Sequence, residues 1–187
     1  MSKKNLQYVF SAGIACLTLT IGASALSLMV ASPAAAGCGI LGLEVCPPRP
    51  VSTYYTARLV GMGGLCLDPV DYARRGRGNV IQLWNCTPED TQDWIIPKNG
   101  VGPIYHKRTG LCLDAKDYGK QGAGTPIQLW DCTKEPSQVW KRVGKKILWG
   151  GGQNLCLDPK DYGRQGRGTP IQLWNCNGDV AQDWETR

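Results

Sequence analysis

A carboxylate, an amide and an indole recur three times along this chain at fixed spacing. Asp68, Gln82 and Trp84 return as Asp114, Gln128 and Trp130, and again as Asp158, Gln172 and Trp174. These are the residue types that recognise a sugar. A pyranose ring has an apolar C–H face and a rim of hydroxyls. An exposed indole stacks on the face, and a carboxylate accepts two neighbouring hydroxyl protons in charge-assisted hydrogen bonds. A side-chain amide donates and accepts at once, as hydroxyls do.

The elements that hold these groups repeat with them. Residues 65–86, 111–132 and 155–176 align without gaps, each from Leu-Cys-Leu-Asp to a closing Cys. Every copy contains Asp-Tyr (71–72, 117–118, 161–162), a Gly-rich stretch and Ile-Gln-Leu-Trp (81–84, 127–130, 171–174). Over those 22 positions the second and third copies differ at only four. Each copy is followed by Gln-x-Trp: Gln92 with Trp94, Gln138 with Trp140, and Gln182 with Trp184. Short segments that alternate apolar and polar residues, broken by Gly, Pro and Asn, predict strands rather than helices. Twelve or so strands in three equivalent groups are expected. A solenoid of three such units would leave raw sheet edges, which closure about a pseudo-three-fold axis removes. The expected fold is therefore all-β, a disulfide-braced β-trefoil.

Strand parity adds detail. Leu65 and Leu67 share one face and Cys66 and Asp68 the other; Ile81 and Leu83 oppose Gln82, Trp84 and Cys86. If Cys66 pairs with Cys86 across an antiparallel hairpin, Asp68 falls opposite Trp84, and likewise Asp114 opposite Trp130 and Asp158 opposite Trp174. Each bridge would stabilise the fold by about 3 kcal/mol in the chain-entropy model.

Cys-Leu-Asp, Ile-Gln-Leu-Trp-x-Cys and Gln-x-Trp, in this order three times, resemble the ricin B-type lectin family over nearly all of residues 52–187. The resemblance implies a β-trefoil of three repeats (about 52–97, 98–143 and 144–187) that binds galactose or a related sugar. It implies sugar pockets at Asp68, Gln82 and Trp84 and their two equivalents, core positions for Trp94, Trp140 and Trp184, and the disulfides Cys66–Cys86, Cys112–Cys132 and Cys156–Cys176. Galactose-binding members usually carry Asn just before the Gln of Gln-x-Trp; here that position is Thr91, Ser137 or Ala181. Asn85, Asp131 and Asn175, beside the indoles, are expected to compensate. Tyr72, Tyr118 and Tyr162 are expected as loop contacts, with Arg77 and Arg167 as cationic lips. Bland readings compete: Asp-Pro as a turn starter, the three indoles covered by their own loops, and the tyrosines pinning the Gly-rich stretches.

The ends and composition set the context. Lys3 and Lys4 precede an uncharged apolar run and Ser32-Pro33-Ala34-Ala35-Ala36, as in a secretory signal over residues 1–36. A lipoprotein at Cys38 or an uncleaved anchor are the minor alternatives. Cleavage would remove two lysines and no acid, taking the formal charge from +6 to +4. That balance has no dense cationic block, so nucleic acid is not an expected partner. Nor is membrane insertion after cleavage. Nine cysteines become eight once Cys16 leaves, an even number suited to an exported disulfide framework. Residues 37–51 form a Cys- and Pro-rich arm, with Cys38–Cys46 as its own bridge. His106 is the sole histidine, no metal cluster or nucleophile motif stands out, and each repeat offers one acid, so neither catalysis nor a cofactor is expected. The expected partners are glycans. The competing functions are a protein-binding trefoil with vestigial sugar sites, such as an inhibitor, and a subunit serving a partner enzyme or toxin chain.

Overall fold

The computed structural model describes residues 52–187. The leader, the arm at 37–51 and the Cys38–Cys46 bridge expected within it lie outside the described residues. The first repeat runs through β1 (Tyr54–Ala57), β2 (Leu59–Val60), β3 (Cys66–Pro69), β4 (Ile81–Trp84) and β5 (Trp94–Pro97). The second continues with β6 (Val101–Gly102), β7 (Tyr105–His106), β8 (Cys112–Ala115), β9 (Ile127–Trp130) and β10 (Trp140–Val143). The third adds β11 (Lys146–Trp149), β12 (Leu155–Pro159), β13 (Ile171–Asn175) and β14 (Glu185–Thr186). Short 3-10 turns link them, and no α-helix occurs among the described residues.

The strands form three antiparallel sheets, ordered β1-β5-β7-β8-β9, β13-β12-β11-β10-β6 and β14-β2-β3-β4. The last strand pairs with β2, so the end of the third repeat closes onto the first. A ring of backbone hydrogen bonds completes the closure. Gly78 N donates to Leu129 O, Gly124 N to Leu173 O and Gly168 N to Leu83 O, each at 2.7 Å. Leu129, Leu173 and Leu83 return the bond at 2.8 Å to the carbonyls of Asn79, Thr125 and Thr169. The three glycines have φ of 75°, 91° and 83°, which a residue with a Cβ adopts only at a cost. Each repeat thus leans on the next, and the third on the first. The expected trefoil closure is present.

Alternation along the hairpins puts Leu67, Ile81 and Leu83, with Leu113, Ile127, Leu129, Leu157, Ile171 and Leu173, into one shared core. The Gln-x-Trp indoles are buried there too. Trp94 Nε1 donates to Leu67 O at 3.1 Å, Trp140 Nε1 to Leu113 O at 2.9 Å and Trp184 Nε1 to Leu157 O at 3.0 Å. Each indole N–H would otherwise be an unsatisfied buried donor, so this bond lets a large apolar ring sit inside.

The three disulfides form as expected, with Cα–Cα separations of 5.0, 5.1 and 5.1 Å. The register is two residues away from the one expected. Cys66 pairs with Trp84 and Asp68 with Gln82; the other repeats match, Asp114 with Gln128 and Asp158 with Gln172. The carboxylate therefore faces the amide, not the indole. In the first two repeats the strand ends at the Trp, and the disulfide reaches past the ladder to a cysteine outside it.

His106 belongs to this scaffold. Its buried ring packs 5.3 Å from that of Trp94. Nε2 lies 2.9 Å from the Thr91 carbonyl and Nδ1 2.9 Å from the Thr109 hydroxyl. A carbonyl only accepts, so Nε2 carries the proton and Nδ1 accepts from Thr109. Burial holds the His106 pKa below 6.5, and the folded state favours the neutral ring. Its contribution to stability is present above pH 6.5 and is lost as pH falls from there toward the depressed value. Urea midpoints measured between pH 7.5 and 5 should fall for the native chain and stay flatter for His106→Gln.

Candidate functional site

Each repeat builds one pocket on the non-core face of its central hairpin. The floor is the carboxylate, opposite its amide in the ladder. Gln82 Nε2 donates to Asp68 Oδ2 at 2.9 Å, Gln128 Nε2 to Asp114 Oδ2 at 2.9 Å and Gln172 Nε2 to Asp158 Oδ2 at 3.0 Å. The Gln of Gln-x-Trp holds the other oxygen in repeats 1 and 3: Gln92 Nε2 and Gln182 Nε2 each donate to Oδ1 at 2.9 Å. In repeat 2 the Ser137 hydroxyl does this at 3.1 Å. These glutamines are doubly engaged. Gln92, Gln138 and Gln182 also donate to the carbonyls of Asn85, Asp131 and Asn175. Their side-chain oxygens accept from the backbone N–H of Thr87, Thr133 and Asn177. A residue read only as a core marker is therefore the clamp that fixes the carboxylate.

The carboxylates are 6, 5 and 6 % exposed, so only an edge reaches the pocket. Burial pushes the pKa of Asp68, Asp114 and Asp158 up, opposed by the glutamine N–H bonds that favour the charged form. A carboxylate has about four lone-pair sites, and two remain for a ligand. The indoles form the walls. Trp84, Trp130 and Trp174 are 40, 41 and 41 % exposed, so they are open surfaces and not a second core.

The rims come from the Asp-Tyr turns. Asp71, Asp117 and Asp161 have φ of 51°, 52° and 53°, and Tyr72, Tyr118 and Tyr162 have 56°, 60° and 58°. Left-handed backbone is unusual for a bulky residue, and here it recurs at the same two positions of all three repeats, beside each pocket. All three tyrosines line their pockets and are well exposed. Arg74, Lys120 and Arg164 sit over their rings at 5.7, 5.7 and 5.3 Å. The pockets enclose ≈ 200, 170 and 150 Å³ in repeats 1, 2 and 3. Sites that bury drug-sized ligands run about 300–1,000 Å³. These are shallower, with room for a ring-sized ligand whose substituents stay in solvent.

Some expectations need correction. Asn85, Asp131 and Asn175 do not line the pockets. Their backbone carbonyls serve the site by accepting from the clamping glutamines. Asp131 instead pairs with Arg77 of the preceding repeat at 2.7 Å, so Arg77 is no lip to its own pocket. The aspartates of Asp-Tyr were missed as site residues, and each pocket holds two carboxylates where the sequence suggested one. Thr87 and Thr133 were missed as well. The only signal for the aspartates was their type, since Asp tolerates left-handed turns.

A closed β-trefoil with three clamped carboxylates beneath open indoles defines a class of protein, and the comparisons agree on its family. The sequence model of the ricin-type beta-trefoil lectin domain matches residues 50–140 and 101–187. The chain belongs to the ricin-type β-trefoil lectin family. Comparison with curated protein sequences gives no match. Among solved structures, the designed three-fold symmetric protein ThreeFoil is similar at a TM-score of 0.63 and 17 % identity, over 70 % of this chain and 96 % of that one. The Macrolepiota procera ricin B-like lectin in complex with lactose is similar at 0.60 and 20 %, over 73 % and 97 %. The agglutinin from Abrus precatorius is similar at 0.59 and 25 %, over 76 % of this chain and 51 % of that one.

Proposed function

We propose that this chain is a secreted, non-catalytic lectin that binds glycans at up to three sites, one per repeat. The observation that carries the reading is the buried carboxylate with two free lone-pair sites beneath an open indole. Asp68 would accept two adjacent hydroxyls of a pyranose, Gln82 would bond a third, and Trp84 would stack on the C–H face; the other repeats would act alike. The lactose bound by the Macrolepiota procera lectin supports a galactose-type sugar. Secretion is supported by the leader-like first 36 residues and by three disulfides, which persist in oxidising compartments. Binding without chemistry is supported by the equivalence of the three pockets, each with the same carboxylate, amide and indole and with no acid and base set apart in any one of them.

Weak single sites on one rigid body gain strength on a glycan surface, by about 10²–10⁴ over one site where the geometry permits joint engagement. The test is a broad glycan array probed with the native chain and with Trp84→Ala/Trp130→Ala/Trp174→Ala. Each lost indole should weaken its site about tenfold, ~1.4 kcal/mol. The triple variant should keep its thermal midpoint, because these rings lie outside the core, and should lose the array signal. Silence from the native chain would overturn the reading and favour a protein-binding trefoil, and a signal that survives in the variant would overturn the three pockets as the binding sites.

A further inference from the structure

We propose that repeat 1 carries a second subsite beside its sugar pocket, built for a sugar unit with an anionic substituent, a uronate carboxylate or a sulfate ester. The proposal rests on the sugar-binding reading above. A cavity of ≈ 260 Å³ lies at the junction of repeats 1 and 3, lined by Arg75, Asn79, Val80 and Pro170 among others. Val70 and Gln82 line both this cavity and the repeat 1 pocket. The two spaces share a wall, as adjacent subsites for a disaccharide must.

Three departures from the repeat converge here. The first is Asn79, fully buried, whose side-chain nitrogen and oxygen both lack a hydrogen-bond partner among the described residues. Its equivalents Thr125 and Thr169 satisfy themselves, donating to Gly122 O at 2.8 Å and Gly166 O at 2.7 Å. An unpaired buried amide is costly, and one that lines a cavity is offset when a ligand or water supplies the missing partners. The second is Arg75, where the other repeats have Gln121 and Gln165. Those amides fold over their own loops, within 3.1 and 3.3 Å of where a Cβ on Gly124 or Gly168 would stand. Among the described residues no amide folds over Gly78 that way; a Cβ there would meet Trp130 at 3.9 Å.

Arg75 is exposed and makes no ion pair among the described residues, while Arg77 is paired with Asp131 and Arg74 lies over Tyr72. A free guanidinium at the mouth of a cavity is a fork for a carboxylate or sulfate. The third departure lies in the pocket itself. Thr91 lines it, and its buried hydroxyl lacks a partner among the described residues, whereas in repeat 2 the equivalent Ser137 bonds Asp114. Unmet hydrogen-bonding capacity is thus concentrated in repeat 1. The anionic unit sits at Arg75 and Asn79, and its neutral neighbour occupies the pocket over Asp68.

The test is calorimetric titration of the full chain with galactose, lactose, a glucuronosyl-galactose disaccharide and 6-sulfolactose, whose sulfate is on the glucose unit. Arg75→Gln/Asn79→Thr is the comparison; repeats 2 and 3 carry those residues at the same positions, so the fold accepts them. At low salt one anionic disaccharide should bind the native chain about tenfold tighter than lactose. The gain should vanish in the double variant and shrink in 0.5 M NaCl. Which anionic sugar gains identifies the substituent. Equal affinities for lactose and both anionic sugars, or a gain that survives the double variant, would overturn the subsite and leave the lectin reading standing. No binding of any sugar, with a silent array, would remove both.

Discussion

A chain carrying Asp68→Asn, Asp114→Asn and Asp158→Asn together should stay folded and lose glycan binding by at least about a hundredfold. The fold survives because Asn is nearly isosteric and its needs can be met. In repeat 1 the Gln92 amide cannot turn, since it also donates to Asn85 O and accepts from Thr87 N. The new Asn must present its oxygen there and its NH₂ to Gln82, whose half-buried amide is free to flip. Repeat 3 works alike, and in repeat 2 the Ser137 hydroxyl can donate or accept. Binding does not survive, because hydrogen bonds to a charged acceptor contribute about 1.5–3 kcal/mol each and two are weakened per site. Calorimetry against lactose, with a urea midpoint on the same sample, checks both halves. Undiminished binding would mean that the carboxylates are scaffold.

The same carboxylates set the pH response. Burial raises their pKa above 3.8, so binding should fail as pH drops through a value higher than an ordinary Asp would give. Stability moves the other way in that window. The folded state takes up these protons more readily than the unfolded chain, so these groups cost least below pH 3.8 and most above their raised pKa. A fall in binding without unfolding, on acidification, distinguishes protonation of the site from collapse of the domain.

Most of the fold could be read from repetition, because three near-identical copies and strand parity leave few ways to bury Leu67, Ile81 and Leu83. The register could not. Taking Cys66 and Cys86 as facing partners is natural, yet a disulfide tolerates a diagonal reach beyond the strand end, and only the turn after Trp84 decides it. The pairing of Asp with Gln follows from that turn, and with it the clamp by Gln92. Asn85 was misplaced for a simpler reason. The strand ends at Trp84, so Asn85 already belongs to the turn, and adjacency in sequence does not set it beside the indole. The left-handed aspartates at 71, 117 and 161 were hidden, since backbone strain at a non-glycine leaves almost no trace in residue type. The orphan amide of Asn79 was hidden too, because being unpartnered is a property of surroundings and not of a residue.

Trp140→Ala should be severely destabilising, and its damage should be global. The ring is fully buried in the shared core, and its N–H satisfies the Leu113 carbonyl at 2.9 Å. Removing a buried Trp costs about 3–5 kcal/mol through lost transfer energy and the cavity left behind. Whole domains are stable by only about 5–15 kcal/mol, so roughly a fifth or more of the margin would go. The core cannot close over the gap, because β10 is held between β6 and β11, and Trp149 across that ladder donates to Ser137 O at 3.3 Å. Trp140→Phe keeps most of the volume and loses the N–H, so it should cost less. In urea the midpoint should fall steeply for Ala and modestly for Phe, with the slope unchanged, since the intact disulfides constrain the unfolded chain equally. The reach of the damage separates core from site. Because the backbone ring ties each repeat to the next, Trp140→Ala should lower binding at all three pockets in step with the unfolded fraction. Asp114→Asn should silence one pocket and leave the midpoint in place. Were Trp140→Ala to affect the repeat 2 pocket alone, the repeats would be independent units and the closed ring would carry no cooperativity.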